Sequence, residues 1–248
     1  MKAIILAAGR GSRMLEGTAN LPKCMMKLWG RPILEHCLES LEKSGFNPSD
    51  IGIVTGYKSE VIDYKGYNYF HNPDWETTNM FVSLTKAEGW LCSEPCIISY
   101  ADIIFSANAV KKLIASKNDI SITYYNGFWE LWSSRFDDPL SDLETFKILD
   151  GRLVEIGKKP KAKDEVQGQY MGLLKFEVPG WKKIAEAINL PMPKTVQKLD
   201  MTTLLQHLIT QGNDIHVIET SDIWLECDNQ NDINVYEKIY AQKPSLEL

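Results

Sequence analysis

No apolar run in the 248 residues approaches the roughly 20 residues that a bilayer-spanning helix requires, so membrane insertion is not expected. Histidine is scarce, and His36, His71, His207 and His216 show neither pairing nor metal-ligand spacing. The five cysteines (Cys24, Cys37, Cys92, Cys96, Cys227) are odd in number and scattered, which suits reduced thiols and excludes a disulfide framework. Cys92 and Cys96 lack a matching Cys/His pair, which speaks against zinc. Positive charge is also in deficit. A net charge of −6 argues against a nucleic-acid binder that neutralises many phosphates, though a local basic pocket stays open. The apolar start, Lys2 to Ala8, is short and has no cleavage site after it, so no signal peptide and a cytoplasmic location are expected. Without a Ser/Gly-rich linker, a repeat or a Ser/His/Asp or Cys/His arrangement, the expectation is one domain over 1–248. A homodimer stays open.

What is present is alternation of short β-type runs with amphipathic segments, the pattern of an α/β fold. Lys2–Leu6 reads as a buried strand and Pro32–Lys43 as a helix with Ile33, Leu34, Cys37, Leu38 and Leu41 on one face. Strands follow at Ile51–Thr55, Tyr67–His71, Cys96–Tyr100, Ile120–Tyr125 and Tyr170–Phe176. Helices are expected at Asn79–Glu88, Asn108–Ser116, Trp181–Ile188 and Met201–Gln211, with late strands at Asp214–Glu219 and Trp224–Cys227 and a closing helix from about Asp232. Asp150-Gly151, between Thr145–Leu149 and Arg152–Ile156, signals a hairpin. From Phe128 to Leu143 the periodicity fails, and a functional loop or short helix over the sheet is expected. The hairpin and an acceptor-side insertion occupy about 126–178.

The first strand runs into Leu6-Ala7-Ala8-Gly9-Arg10-Gly11-Ser12-Arg13-Met14. Small residues let backbone approach a ligand, and glycine amides can face phosphate oxygens. Arg10, Arg13 and Lys23 add cationic donors. A dinucleotide fingerprint would need glycine where Met14 stands, and a P-loop would need Gly-Lys-Ser/Thr where Gly17-Thr18-Ala19 stands. A plain small-residue turn with solvated arginines remains compatible with these residues alone.

The whole string, from Leu6-Ala7-Ala8-Gly9 through Gly11, Arg13-Met14 and Pro22-Lys23 to Gly30-Arg31-Pro32-Ile33-Leu34, resembles the signature of the nucleotidyltransferase superfamily. The closest branch by resemblance is the bacterial choline-phosphate cytidylyltransferase type. It implies a Rossmann-like three-layer α/β fold with a mixed, mostly parallel central sheet. It also implies that Leu6 to Gly11 hold base and phosphates while Arg13 and Lys23 meet the triphosphate.

Nucleotidyl transfer needs positioning and cations more than covalent help, and magnesium prefers carboxylate oxygens. Asp102 follows the strand Cys96–Tyr100, and Asp228 follows Trp224–Cys227. On the residues alone, turn caps are the slightly better reading of both. The resemblance reverses this: Ser99-Tyr100-Ala101-Asp102 and Glu226-Cys227-Asp228 match the family's two metal-binding elements, with Glu226 behind the ligands. It implies Mg2+ as cofactor and CTP plus a small phosphorylated metabolite as partners, for surface-glycan decoration.

Further stretches resemble the cytidylyltransferase branch. Thr78-Asn79-Met80 with Ser83-Leu84 implies that Asn79 and Ser83 meet the nucleotide, although Asn79 equally suits a helix cap. Glu76 is a lesser candidate. Gly56 closes the second strand where a base could pack, and Tyr100 faces the same end. Trp129-Glu130-Leu131-Trp132-Ser133-Ser134-Arg135 implies an acceptor site: Trp129, Trp132 and Glu130 suit an ammonium group and Arg135 a phosphate or carboxylate. Such aromatics also suit simple packing of a loop onto the core. Lys158, with Lys159 as its alternate, resembles the family lysine on the phosphate being joined. Gly172 would let the acceptor lie on backbone, with Lys175 nearby. A sugar-1-phosphate transferase using UTP or dTTP, or a nucleotide-sensing module without turnover, are the alternatives.

Overall fold

The computed structural model describes residues 1–11 and 21–241. Its elements in chain order begin with β1 (Lys2–Ala7), β2 (Lys27–Leu28), β3 (Arg31–Pro32), α1 (Ile33–Lys43), β4 (Ile51–Thr55) and β5 (Asn68–His71). Next come α2 (Met80–Thr85), α3 (Glu88–Leu91), β6 (Cys96–Tyr100), β7 (Ile103–Phe105), α4 (Ala107–Ala115), β8 (Ile120–Tyr125) and α5 (Phe128–Arg135). The chain continues with β9 (Phe146–Leu149), β10 (Arg152–Ile156), β11 (Gln169–Phe176), α6 (Val178–Ala187) and α7 (Met201–Thr210), and closes with β12 (His216–Thr220), β13 (Trp224–Glu226) and α8 (Gln230–Ile239).

Nine strands form one sheet in the order β5-β4-β1-β6-β11-β8-β12-β10-β9. Only β10 and β11 run against the rest, so the sheet is mixed and mostly parallel. β1 is apolar at consecutive positions because both faces are covered, as parallel strands require. Ile5 packs with Ile33, Leu34 and Val110 on one face, and Ile4 packs with Phe81, Leu84 and Leu204 on the other. Helices therefore flank the sheet on both sides. The β9–β10 turn has Asp150 and Gly151 at φ 49° and 73°, the left-handed pair that a two-residue hairpin uses.

One expectation is corrected. The helix over Asn79–Glu88 is two short helices, because the amides of Lys86 and Ala87 bond back to Ser83 and Leu84 and tighten the turn at that point. The strand at Trp224 does not join the central sheet. It pairs antiparallel with β7, a three-residue apolar run too short to stand out in the sequence, with Glu226 opposite Ile103. The Cys227 amide then donates to the Asp102 carbonyl at 2.9 Å. This small ribbon brings two distant aspartates to one place.

Candidate active site

The carboxyl ends of β1 and β6, where open α/β sheets bind ligands, frame a cavity of about 300 Å³. Leu6, Ala7, Ala8, Gly9, Gly11, Asn79, Ser83 and Tyr100 of the expected nucleotide residues line it, together with Lys23, Asp102 and Asp228. Arg13 lies outside the described residues. Arg10 is exposed, its guanidinium 5.6 Å from the centre of the Tyr57 ring.

At one end of the cavity the Lys23 ammonium lies 2.5 Å from Asp102 and 2.7 Å from Asp228. Burial alone would lower the lysine's pKa, but the two carboxylates outweigh it and raise the pKa above the ordinary value. Gly11 makes room for the lysine stem. Its φ is 72°, and a β-carbon there would lie 2.5 Å from Lys23 Cβ. Among the described helices neither aspartate is the N-cap: Asn229 caps α8, in a capping box with Asp232. The donor set fits a hard divalent cation, since two carboxylates already converge on one cationic group, the ammonium standing in for it. Asp142, Glu226 and Asp228 form a second acidic group, with oxygens within 4.8 Å of one another. Burial, and then the Asp228 charge, raise the pKa of the Glu226 carboxyl above its ordinary value.

The loop before α2 closes the other side. Buried Asn72 donates to Thr78 Oγ1 at 3.1 Å and to Ser83 Oγ at 3.0 Å, and its oxygen accepts from the Asp74 amide. Asn79 both caps α2, accepting from the Met80 amide at 2.8 Å, and lines the cavity. Thr78, part of the motif that Asn79 belongs to, and Trp75, which no motif marks, also line it. Gly56 is reassigned by this loop. A β-carbon there would sit 2.6 Å from the Ala8 carbonyl and 2.7 Å from Trp75, so the glycine lets Trp75 pack and Trp75 faces the cavity. Glu76 is exposed.

The acceptor expectations divide. Trp129 is partly exposed, with the Lys163 ammonium 4.3 Å from its ring, and Glu130 is exposed. Trp132 and Arg135 instead turn inward. Trp132 is stacked on Trp224, 5.7 Å between centroids, and donates to Asp142. The Arg135 side chain is 0% exposed and its guanidinium is taken by Asp232 and Glu226, so it does not reach a ligand. The helical spacing of Phe128, Leu131, Trp132 and Arg135 is the cause, because it buries that face of α5. Gly172 has φ 72° and meets the Tyr100 ring, 2.6 Å from where a β-carbon would be; the room it leaves holds tyrosine rather than ligand. Lys158 pairs with Glu155 at the surface, and Lys159 donates to the carbonyls of Leu140 and Ser141, so neither ammonium points into the cavity. Lys175 is buried against Glu177 and the Ser116 carbonyl. His36 and His207 bond to backbone carbonyls in the core.

Comparison with known proteins agrees with this geometry. Residues 3–149 match the MobA-like NTP transferase domain family. The chain is 36% identical over 251 aligned positions to a CTP:phosphoglutamine cytidylyltransferase of Campylobacter jejuni, covering 95% of this chain and 98% of that protein. It is 34% identical over 134 positions to a choline-phosphate cytidylyltransferase of Streptococcus pneumoniae, covering 52% of this chain and 55% of that one. The fold superposes on the CTP:phosphocholine cytidylyltransferase structure of Streptococcus pneumoniae with a TM-score of 0.71, at 21% identity and over 96% of this chain and 98% of that one. Among the described residues no helix is long and apolar enough to cross a membrane. The chain belongs to the MobA-like NTP transferase family and is a nucleotidyltransferase.

Proposed function

We propose that the protein transfers CMP from CTP to a small phosphorylated acceptor that carries an amino group, releasing pyrophosphate. The observation that carries this reading is the lysine-bridged pair Asp102 and Asp228, set beside the glycine turn at the carboxyl end of β1. The cytidine part lies against Trp75, Asn79 and Ser83, with Gly9 and Gly11 backbone amides toward the phosphates. An acceptor phosphate oxygen attacks the α-phosphorus in line, and the bond to the bridging oxygen of the β-phosphate breaks as pyrophosphate leaves. No protein nucleophile is required, because an acceptor phosphate is already ionised at neutral pH. Asp102 and Asp228 would hold Mg2+, which when bound offsets charge on the triphosphate. Lys23 then turns from the aspartates to the phosphates, and Arg13 adds a second cation there.

Trp129 and Glu130 suit the amino end of the acceptor, at the side formed by the 126–178 segment. Phosphocholine, an aminophosphonate or a phosphorylated amino-acid derivative all carry that chemistry, and the similarity to a phosphoglutamine enzyme favours the last. The product would serve surface-glycan decoration, made in the cytoplasm. The test is thermal stabilisation by ATP, GTP, CTP, UTP and dTTP with Mg2+, where a nucleotide at a hundred times its Kd adds about 2.7 kcal/mol. A shift with CTP alone is expected. A preference for UTP or dTTP assigns the protein to sugar phosphates, and no shift with any of the five contradicts the reading.

A further inference from the structure

Arg135 ends α5 with a fully buried side chain, and a buried guanidinium must be compensated by well-placed acceptors. Asp232 meets it through both oxygens, with Nε at 2.9 Å and Nη2 at 3.1 Å. Nη1 reaches Glu226 at 3.3 Å, and Nη2 lies 3.7 Å from an Asp228 oxygen. The rings of Trp132 and Phe136 cover the guanidinium, their centroids 4.6 and 5.1 Å away. Asp232 does a second job. Its Oδ2 accepts the backbone amides of Asp228 at 2.8 Å and Asn229 at 3.0 Å. The arginine therefore fixes the carboxylate that fixes the Asp228 backbone, while also touching the Asp228 side chain.

We propose that Arg135 is a positioning residue for the metal site, holding Asp228 in ligand geometry through Asp232 and tying helix α5, which carries Trp129, to that ligand. The inference rests on the reading of Asp102 and Asp228 as metal ligands. A planar fork is what this role needs, since lysine keeps the charge but has one nitrogen where arginine sets Nε and Nη2 side-on to Asp232 and Nη1 on Glu226.

The test is Mn2+ binding to the free, full-length protein, followed by electron paramagnetic resonance, in wild type, Asp228→Asn, Arg135→Lys and Arg152→Ala. Asp228→Asn is expected to remove binding, and Arg152→Ala, which breaks only an exposed pair with Asp214, to leave it intact. Arg135→Lys keeps the charge, so positioning alone is changed. It should weaken Mn2+ binding roughly 10-fold, the usual scale for a group that orients a ligand. A lowered melting temperature with unchanged Mn2+ affinity would make Arg135 merely structural and overturn the proposal. If Arg135→Lys does not fold, Arg135→Gln decides: losing a nearby positive charge would by itself tighten Mn2+ binding, whereas lost positioning weakens it. Mn2+ binding that survives Asp228→Asn, or is absent from wild type, removes the metal reading and this proposal together. Loss in Asp228→Asn with wild-type affinity in Arg135→Lys removes this proposal alone.

Discussion

Replacing Lys23 by methionine should destabilise the protein without divalent metal, and Mg2+ should restore most of the loss. The side chain of Lys23 is 11% exposed and those of Asp228 and Asp102 are 7% and 24% exposed, so this is a largely buried charge cluster. Removing one member of such a pair costs about 3–5 kcal/mol, because the partner charge stays buried. The partial exposure of Asp102 and the nearby Arg135 favour the lower figure, about 3 kcal/mol. For a chain of this size that corresponds to a fall in melting temperature of roughly 6–12 °C. Methionine keeps the stem that packs against Gly11, so the change is mainly one of charge. The assay is thermal unfolding of wild type and variant across a Mg2+ series without nucleotide. Wild type should respond less than the variant, since its ammonium competes for the same oxygens. A variant that melts with wild type, or that gains no more from Mg2+, refutes the idea that the lysine occupies the cation position.

Three further outcomes are expected. Trp75→Ala should raise the KM for CTP several-fold with kcat little changed, because Trp75 lines the cavity without belonging to the Lys23–Asp102–Asp228 cluster; a pure kcat effect in steady-state kinetics contradicts its placement. Gly11→Ala should cut turnover sharply, since the left-handed backbone and the Lys23 stem both exclude a β-carbon, and wild-type kinetics would show that the loop can adjust. At the surface, hydrogen bonds from Lys43 and Arg31 hold the Glu39 carboxyl at about 2. Its folded pKa is depressed, so its stabilisation is present above the usual pKa of 4.5 and lost as pH falls towards 2. Urea unfolding of Glu39→Gln and wild type should therefore differ at pH 6 and converge near pH 2, by less than about 1 kcal/mol for a surface pair.

The fold was legible where the pattern is local. Ile4 and Ile5, apolar side by side, signalled a strand covered on both faces, and Asp150-Gly151 signalled its hairpin. Asp102 and Asp228 were each legible as the residue after a strand, but their meeting depends on the β7–β13 ribbon, whose pairing is long-range and whose strands are three residues each. Asn79 was readable as either cap or nucleotide contact because both use the same loop end. The α5 stretch misled for a different reason. Phe128, Leu131, Trp132 and Arg135 do keep helical spacing, but an arginine completing a buried stripe breaks the hydrophobic pattern. Only the three carboxylates around it, distant in sequence, make its burial tolerable. Trp75 gave no periodic signal, because a loop held by one buried asparagine presents it.

The most direct measurement is 31P NMR of the protein with CTP, Mg2+ and a phosphorylated amino-acid derivative such as phosphoglutamine. The account predicts pyrophosphate and a new diphosphate-linked product in equal amounts, absent with Asp102→Asn. Product formed from UTP or dTTP in place of CTP, or undiminished turnover by Asp102→Asn, would contradict it.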